Sequence, residues 1–586
     1  MTIVDAETVG KSDLVVIRAG ARDAATPGRA DVITTEVIRQ ALGSVARRMK
    51  QTLVRTAFSP VIYEVLDFAA AMYDDRVRLL AEAPSLPIFM GTMSFCVEEA
   101  VAGVGGPDVL RDGDVILYNS PYGTGSHAQD CAVVMPVFLG GKEIVGYAAI
   151  KGHLLDIGGK DPYSTDTVDV FQEGTIFPGV WLYRGGELVR DVYRMLLANT
   201  RVPDMVAGDI SAEVAGVRAG ASALVALIER FGLDVFRDCV ERMYDHGESL
   251  VRECLERIPD GRYVGRGRMD NNGVDDDEIP FEVTVEVKGS DVTVDFSAAP
   301  DAQTGPMNCP IASTVSGARI AIAMLAGGAD DSPNEGHFRP LEVIARRGSM
   351  FYPESPSPCF LYGWPADQSI EAIYQAIAQA VPTMVPACSG GDICGMVWWG
   401  NREATGEPWV DGSAHPIGHG GHSRGDGASS VIHTSEAASR FTPVEVWEQR
   451  NPWRLDRVEL AADSAGAGRH RGGLGVDFAF RMLEDSYLTA AVERTRNAPW
   501  GLQGGGSGRP NSVTVIYPDG QRVSRGKLTR QPLPKGTLVE LRTGGGGGYG
   551  DPGVRDPAAV AADLREGYIT ESRAREDYGH SDGDRG

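Results

Sequence analysis

The spacing of apolar positions changes several times along the chain. Between residues 33 and 57, Val37, Ile38, Leu42, Val45, Met49 and Leu53 fall at helical intervals, with Arg39, Arg47, Arg48 and Lys50 on the other faces. Thr34 and Thr35 offer a hydroxyl cap at its start. SPVIYEVLDF (59–68) reads as a loop, and AAMYD after it as a strand ending at Asp74-Asp75. Residues 113–159 read as strand, loop, strand, turn, strand: GDVILYN, then CAVVMPVF, then EIVGYAAIKGH, with Gly140-Gly141 between the last two. Two helices follow, at 205–232 and 235–258, with Gly232 as a cap between them.

From residue 261 the period becomes two. FEVTVEVKGSDVTVDFS (281–297) predicts a hairpin with its turn at 288–291, and 312–329 predicts a helix. Residues 356–440 mix Gly, Pro, Trp and His with few clear elements. Residues 443–550 read as β-rich and end in a loop, GGGGGYG. The tail predicts two short helices, the first docked by Ala558, Val560 and Leu564.

The fold class that follows is α+β: a large multi-domain chain of mixed sheets and helices with a β-rich C-terminal third. At about 100–200 residues per domain, its length predicts three or four units. The expected division is a loose N-terminal arm (1–32), a mixed domain (33–260), a central α/β region (261–440), a β-rich domain (441–550) and a short helical tail (551–586).

Composition narrows the function. A formal net charge of −24 argues against nucleic acid and against an anionic membrane surface. The 8 cysteines are scattered without a CxxC, which predicts a reducing, cytoplasmic setting. The N-terminus lacks the apolar stretch of a signal peptide, and no uncharged apolar run approaches the ~18 residues of a membrane span.

Candidate chemistry gathers at two strand ends. His127-Ala-Gln-Asp130 precedes CAVVMPVF, and His153-Leu-Leu-Asp156 follows the next strand with the same spacing. Imidazole and carboxylate are the usual nitrogen and oxygen ligands of Zn, Mn and Fe. Adjacent strands would bring the two pairs together as a three- or four-ligand site. The competing reading is a pair of ordinary turns, where His and Asp are common. His415, His419 and His422 in HPIGHGGH form a second group, but Pro416, Gly418, Gly420 and Gly421 oppose the helix that would make them converge. A flexible substrate-cradling loop or a structural one is expected there. Glu64 and Asp67 are acidic neighbours that could serve as base or orient a ligand, or simply form a solvated loop edge. No GxxxxGK[ST], GxSxG or HExxH occurs, so the chain shows no phosphate loop of its own.

The ordered blocks LDFAAAMYD, GDVILYNSPYGTGSHAQDCAVVMPVF, GHLLDIGG, GPMNCPIAST, TPVEVWEQRNPWRLDRVELAADSAGAGRHRGGLGV, ERTRNAPWGLQGGGSGRPN and GGGGGYGDPGVRDP resemble the hydantoinase B / oxoprolinase family, which includes acetone carboxylase alpha subunits. The resemblance runs from about residue 33 to 579. It implies a metal-bearing subunit that acts with a hydantoinase A-type partner in a hetero-oligomer. That partner binds ATP and Mg and activates a small-molecule substrate by phosphorylation. It implies a divalent ion (Mn, Zn or Fe) on His127, Asp130 and His153, with Asp156 as a fourth ligand or orienting His153. Glu64 and Asp67 then become candidates for the general base. The first expectation is ATP-dependent opening of a cyclic amide such as hydantoin or 5-oxoproline. The alternatives are a ketone carboxylase subunit of the acetone type and a non-catalytic scaffold for the ATP-binding partner.

Overall fold

The computed structural model describes residues 2–5, 13–19, 31–327 and 333–580. The chain divides into two compact units, neither contiguous in sequence. One takes residues 1–162, 167–264 and 282–373, and the other 163–166, 265–281 and 374–586. The boundary expected at 440 is not where the chain divides, because the central block is shared between the units. Periodicity reports which face an element buries but not which neighbour covers it.

The expected arm also differs. Thr2–Asp5 and Leu14–Arg18 are strands. They belong to a six-stranded sheet in the order 2–5, 14–18, 341–346, 291–295, 279–288 and 261–269. The 281–297 hairpin contributes its two strands there, and one pair, 291–295 with 341–346, is parallel. Residues 6–12 and 20–30 of the arm lie outside the described residues. The first helix spans Val32–Thr56 and buries Ile38, Leu42, Val45, Met49 and Leu53 as the spacing predicts. Val37 stays exposed. Its cap is Asp31 rather than Thr34 or Thr35: the Asp31 carboxylate accepts from the Thr34 amide at 2.9 Å.

A seven-stranded antiparallel sheet forms the first unit's second layer. Its order is Leu79–Glu82, Phe68–Tyr73, Glu143–His153, Asp130–Leu139, Val115–Tyr118, Pro178–Arg184 and Glu187–Leu188. The three strands predicted between 113 and 159 are all present. Gly140 and Gly141 turn the central hairpin with φ of 60° and 68°, a region that glycine enters without steric cost. Helix Pro203–Phe231 packs on the two central strands and on Val32–Thr56. Among the described helices it alone is long and apolar enough to cross a membrane by length and composition, but its apolar side lies in this core.

SPVIYEVLDF is not a plain loop. Val61–Val65 is one π-helical turn, and Leu66 leaves it at φ 67°. Within 356–440 the helix Gly363–Ala378 was not legible. Its Asp367, Gln368, Ser369 and Glu371 are all buried, so polar residues mark no solvent face and the amphipathic signal is lost.

The second unit holds a four-stranded and a five-stranded sheet around a core of Trp398, Trp447, Trp453, Phe478 and Phe480. Beside them GGGGG is not a loose loop. Gly418 donates to the Gly544 carbonyl at 2.9 Å and Gly421 to that of Gly547 at 2.8 Å, so contacts recur every third residue on both segments. Gly546 donates to Gly473, Gly466 to Gly546, and Gly548 to Gly506. A three-residue repeat with bonds only between segments is the habit of packed extended helices of the polyproline II kind. A Cβ on Gly546 would sit 1.9 Å from the His419 carbonyl oxygen, and one on Gly472 equally close to that of Gly546. The tail forms two short helices, Pro557–Arg565 and Glu571–Tyr578. Val560, Ile569 and Ala574 dock them with Leu564, while Ala558 is exposed.

Candidate metal centre

The site is built where three strands of the seven-stranded sheet end together. Val115–Tyr118 runs into a helical turn, Pro121–Thr124, capped by Gly125 at φ 77°. A Cβ on Gly125 would lie 2.8 Å from the Ser313 amide nitrogen, so the close approach also needs glycine. The chain then turns at His127, and the Asp130 amide donates to the His127 carbonyl at 3.1 Å. This turn sets both side chains on one side. Asp130 pairs directly with His153 across the hairpin. Phe68 pairs with Gly152, so Asp67 stands opposite His153 on the next strand, and its carbonyl accepts the His153 amide at 3.1 Å. Directly opposed residues share a sheet face.

Three donor atoms converge. His153 Nδ1 lies 2.8 Å from Asp130 Oδ1, His127 Nε2 lies 3.2 Å from the same oxygen, and the two imidazole nitrogens are 3.1 Å apart. Two ligands bound at about 2.1 Å to one ion and about 90° apart are about 3 Å from each other. The donor set and its spacing therefore fit a divalent ion held on one face by two imidazoles and a carboxylate. All three residues are buried. His127 Nδ1 lies 2.9 Å from the Phe360 carbonyl, which accepts its proton and turns the Nε2 lone pair toward His153 and Asp130.

The electrostatics follow from burial and these contacts. Burial alone would raise the Asp130 carboxyl, but the charges and hydrogen bonds of His127 and His153 outweigh it and hold that carboxyl well below the usual range. Burial opposes charge on His153, yet its hydrogen bond to Asp130 and the charge of Asp67 raise its pKa. Asp67 is half-buried, with its Oδ1 sealed from solvent. Burial pushes it up to about 6, against the pull of His153 and with the help of Asp130. Its Oδ1 has no hydrogen-bond partner among the described residues.

Other expected residues fall elsewhere. Asp156 does not face His153. Its carboxylate takes the Arg201 guanidinium and main-chain amide, with Thr200 Oγ1 at 3.3 Å. Past the strand end the two-residue alternation no longer holds, so the repeated spacing does not repeat the direction. Glu64 lies half-buried on the π-helical turn and is not one of the three donors. In the second unit, His415 Nδ1 bonds the Cys394 carbonyl at 2.8 Å, His419 Nε2 bonds that of Ile432 at 2.9 Å, and His422 Nδ1 accepts from the Arg424 amide at 3.2 Å. Each is tied separately to main chain, which is the structural alternative.

Several neighbours had no signal in the sequence. Lys151 is fully buried on the same face as His153, one pleat along the strand. Its Nζ donates to Thr92 Oγ1 at 2.7 Å, the Thr124 carbonyl at 3.1 Å and Ser126 Oγ at 3.3 Å, and sits 4.0 Å from the Phe89 ring centroid. It thus pins the loop that delivers His127. Tyr362 donates to Asp130 Oδ2 at 3.3 Å. Glu173 accepts from the Cys359 and Phe360 amides at 2.9 Å and from Thr167 Oγ1 at 2.8 Å. It fixes the main chain leading into Phe360, whose carbonyl orients His127. Burial raises the Glu173 carboxyl to about 7 despite these bonds.

Known proteins share this arrangement of chain. The sequence profile described as hydantoinase B/oxoprolinase matches residues 31–552. The B-type subunit of the putative D-/L-hydantoinase of Pseudomonas sp. (strain NS671) is 31% identical over 571 residues, covering 94% of this chain and 95% of that protein. The caprolactamase beta chain of Pseudomonas jessenii is 30% identical over 567 residues, covering 94% and 96%. The crystal structure of the ATP-dependent caprolactamase from Pseudomonas jessenii superposes with a TM-score of 0.86 at 28% identity, over 94% of this chain and 96% of that one. Nucleotide-free acetone carboxylase gives a TM-score of 0.82 at 19% identity, over 93% and 79%, a likeness of fold alone. The match spans nearly the whole chain and takes in every strand of the site, so this protein belongs to the hydantoinase B/oxoprolinase family.

Proposed function

We propose that this chain is the metal-bearing subunit of an ATP-dependent hydrolase that opens a cyclic amide, working with a hydantoinase A-type subunit that holds ATP and Mg. The observation that carries the reading is the buried His127–Asp130–His153 triad. It lies in a chain two of whose relatives, at 31% and 30% identity, are named as hydantoinase and caprolactamase subunits. The carboxylase alternative keeps only the likeness of fold.

His127, Asp130 and His153 would hold the ion. When bound, a divalent ion there supplies Lewis acidity, which polarises a carbonyl oxygen or acidifies a water. The chain's own groups do the rest. The Phe360 carbonyl keeps His127 in the tautomer protonated at Nδ1, so that Nε2 would face the ion. Asp67 Oδ1, enclosed and without a partner among the described residues, is the acceptor for the proton of the attacking water. From the same carboxyl the ring nitrogen is protonated as its bond to the carbonyl carbon breaks. Glu64 is set aside for this role because Asp67, and not Glu64, stands opposite His153 on the neighbouring strand.

The test is reconstitution with the ATP-binding subunit. ATP-dependent ring opening of hydantoin, 5-oxoproline or caprolactam without bicarbonate is the expected result. Incorporation of labelled bicarbonate with a ketone substrate would replace the hydrolase reading by the carboxylase one. If His127→Ala and His153→Ala keep both metal and turnover, the site assignment fails and the scaffold reading takes its place.

A further inference from the structure

Arg494 lies in the second unit, just past the strand Ser486–Ala491. It is only 6% exposed, and its side chain has neither ion pair nor hydrogen bond among the described residues. Its neighbours are all engaged. Glu493 pairs with Lys527, Thr495 bonds Asp270, and Arg496 pairs with Asp276. The other buried arginines also have partners: Arg78, Arg471 and Arg555 hold carboxylates and Arg319 donates to the Gly91 carbonyl. A guanidinium cannot shed its proton, so an uncompensated one inside a protein is costly.

The backbone there is strained as well. Arg494 has φ 51°, a left-handed conformation that a long side chain rarely takes. The guanidinium lies against Gly391, itself at φ 65°, where a Cβ would be 2.0 Å from Arg494 Nε and 2.9 Å from Cζ. The Asn511 amide holds the Arg494 carbonyl at 3.0 Å. Of the side-chain nitrogens, Nε alone is sealed from solvent without a partner; the two terminal nitrogens remain reachable from outside. A cation held in a fixed, unpaired, outward-reaching pose matches the two oxygens of an oxyanion.

We propose that Arg494 is the anchor of an oxyanion-binding site, taking a carboxylate or a phosphoryl group in the fork of its guanidinium. This site is independent of the metal triad and stands even if that assignment fails.

Calorimetric titration of the full chain with inorganic phosphate and, separately, with acetate distinguishes the two sources. Binding of one or both by the wild type is expected. Arg494→Gln should weaken it about tenfold or more, and Arg494→Lys should recover part of the loss, because it keeps the charge without the fork. No binding of either anion to the wild type below about 10 mM overturns the proposal, as does equal binding by Arg494→Gln. Should Arg494→Gln not fold, a wild-type crystal soaked in tungstate, a heavy stand-in for phosphate, decides. An anomalous peak on Arg494 supports the site; peaks elsewhere only overturn it.

Discussion

Two stretches invite the same reading from their residues and fold to opposite ends. His127, Asp130 and His153 point three donor atoms at one spot, 2.8–3.2 Å from one another. His415, His419 and His422 lie closer together in sequence, yet each is spent on a main-chain group. The difference lies in the scaffold. A paired antiparallel hairpin sets opposed side chains on one face at close range. The HPIGHGGH segment instead threads a bundle in which glycine main chain does the packing, and its imidazoles brace it from outside. Density of ligand residues in sequence is therefore a poor guide to a site. Convergence needs an element that repeats direction as well as residue type.

The largest expected effect breaks the comparison on its catalytic side. His127→Ala or His153→Ala should remove the metal and lower turnover well beyond the roughly 100-fold typical of losing an outer partner, whereas His422→Ala should keep metal and turnover. Elemental analysis and single-turnover rates of the reconstituted complex check this. If His422→Ala also loses metal, the two stretches are not different in kind.

Next comes the bundle. Gly546→Ala puts a methyl 1.9 Å from the His419 carbonyl, where no flexible side chain can move aside. A loss of about 3 kcal/mol or more in unfolding free energy is expected, and denaturant titration measures it. A change below about 1 kcal/mol would mean that the glycines are not packed as described.

The third concerns pH. Burial pushes His415 down to about 4 despite its bond to the Cys394 carbonyl. An unfolded histidine titrates near about 6.5, so between about pH 6.5 and pH 4 the unfolded chain binds a proton that the folded chain does not. Stability should fall by roughly 3 kcal/mol as pH drops through that window, and His415→Asn should flatten that part of the curve. An unchanged slope in the variant would show that the imidazole is not buried neutral.

The smallest effect sharpens the metal side. Lys151→Met should leave the fold intact but loosen the Thr124–Ser126 loop, weakening metal affinity by about 10–100-fold. A chelator competition measures it. Affinity equal to wild type would reduce Lys151 to a packing residue.

Much of this was legible in the chain itself. The hairpin, its Gly140-Gly141 turn and the His-x-x-Asp turn are local features whose residues specify their own conformations. His153 could be read as a candidate because it ends a strand adjacent in sequence. Asp156 misled for the converse reason: it kept the spacing but left the strand, and Arg201 claimed it. Phe360, Tyr362 and Glu173 carried no signal, since they reach the site across long sequence separations and through a main-chain carbonyl.

The sequence by itself determined the α+β class, the strands around the site and the membership of a family, and it offered two His-x-x-Asp pairs as candidate ligands. Those depend on periodicity and on motifs read within a few tens of residues. Only the tertiary structure decided which donors converge, that Asp67 stands opposite His153, that the glycine runs pack against one another, and that Arg494 has no partner among the described residues. Each of these depends on which distant segments share one surface, and that is decided by burial and main-chain hydrogen bonding over the whole fold, which no local pattern encodes.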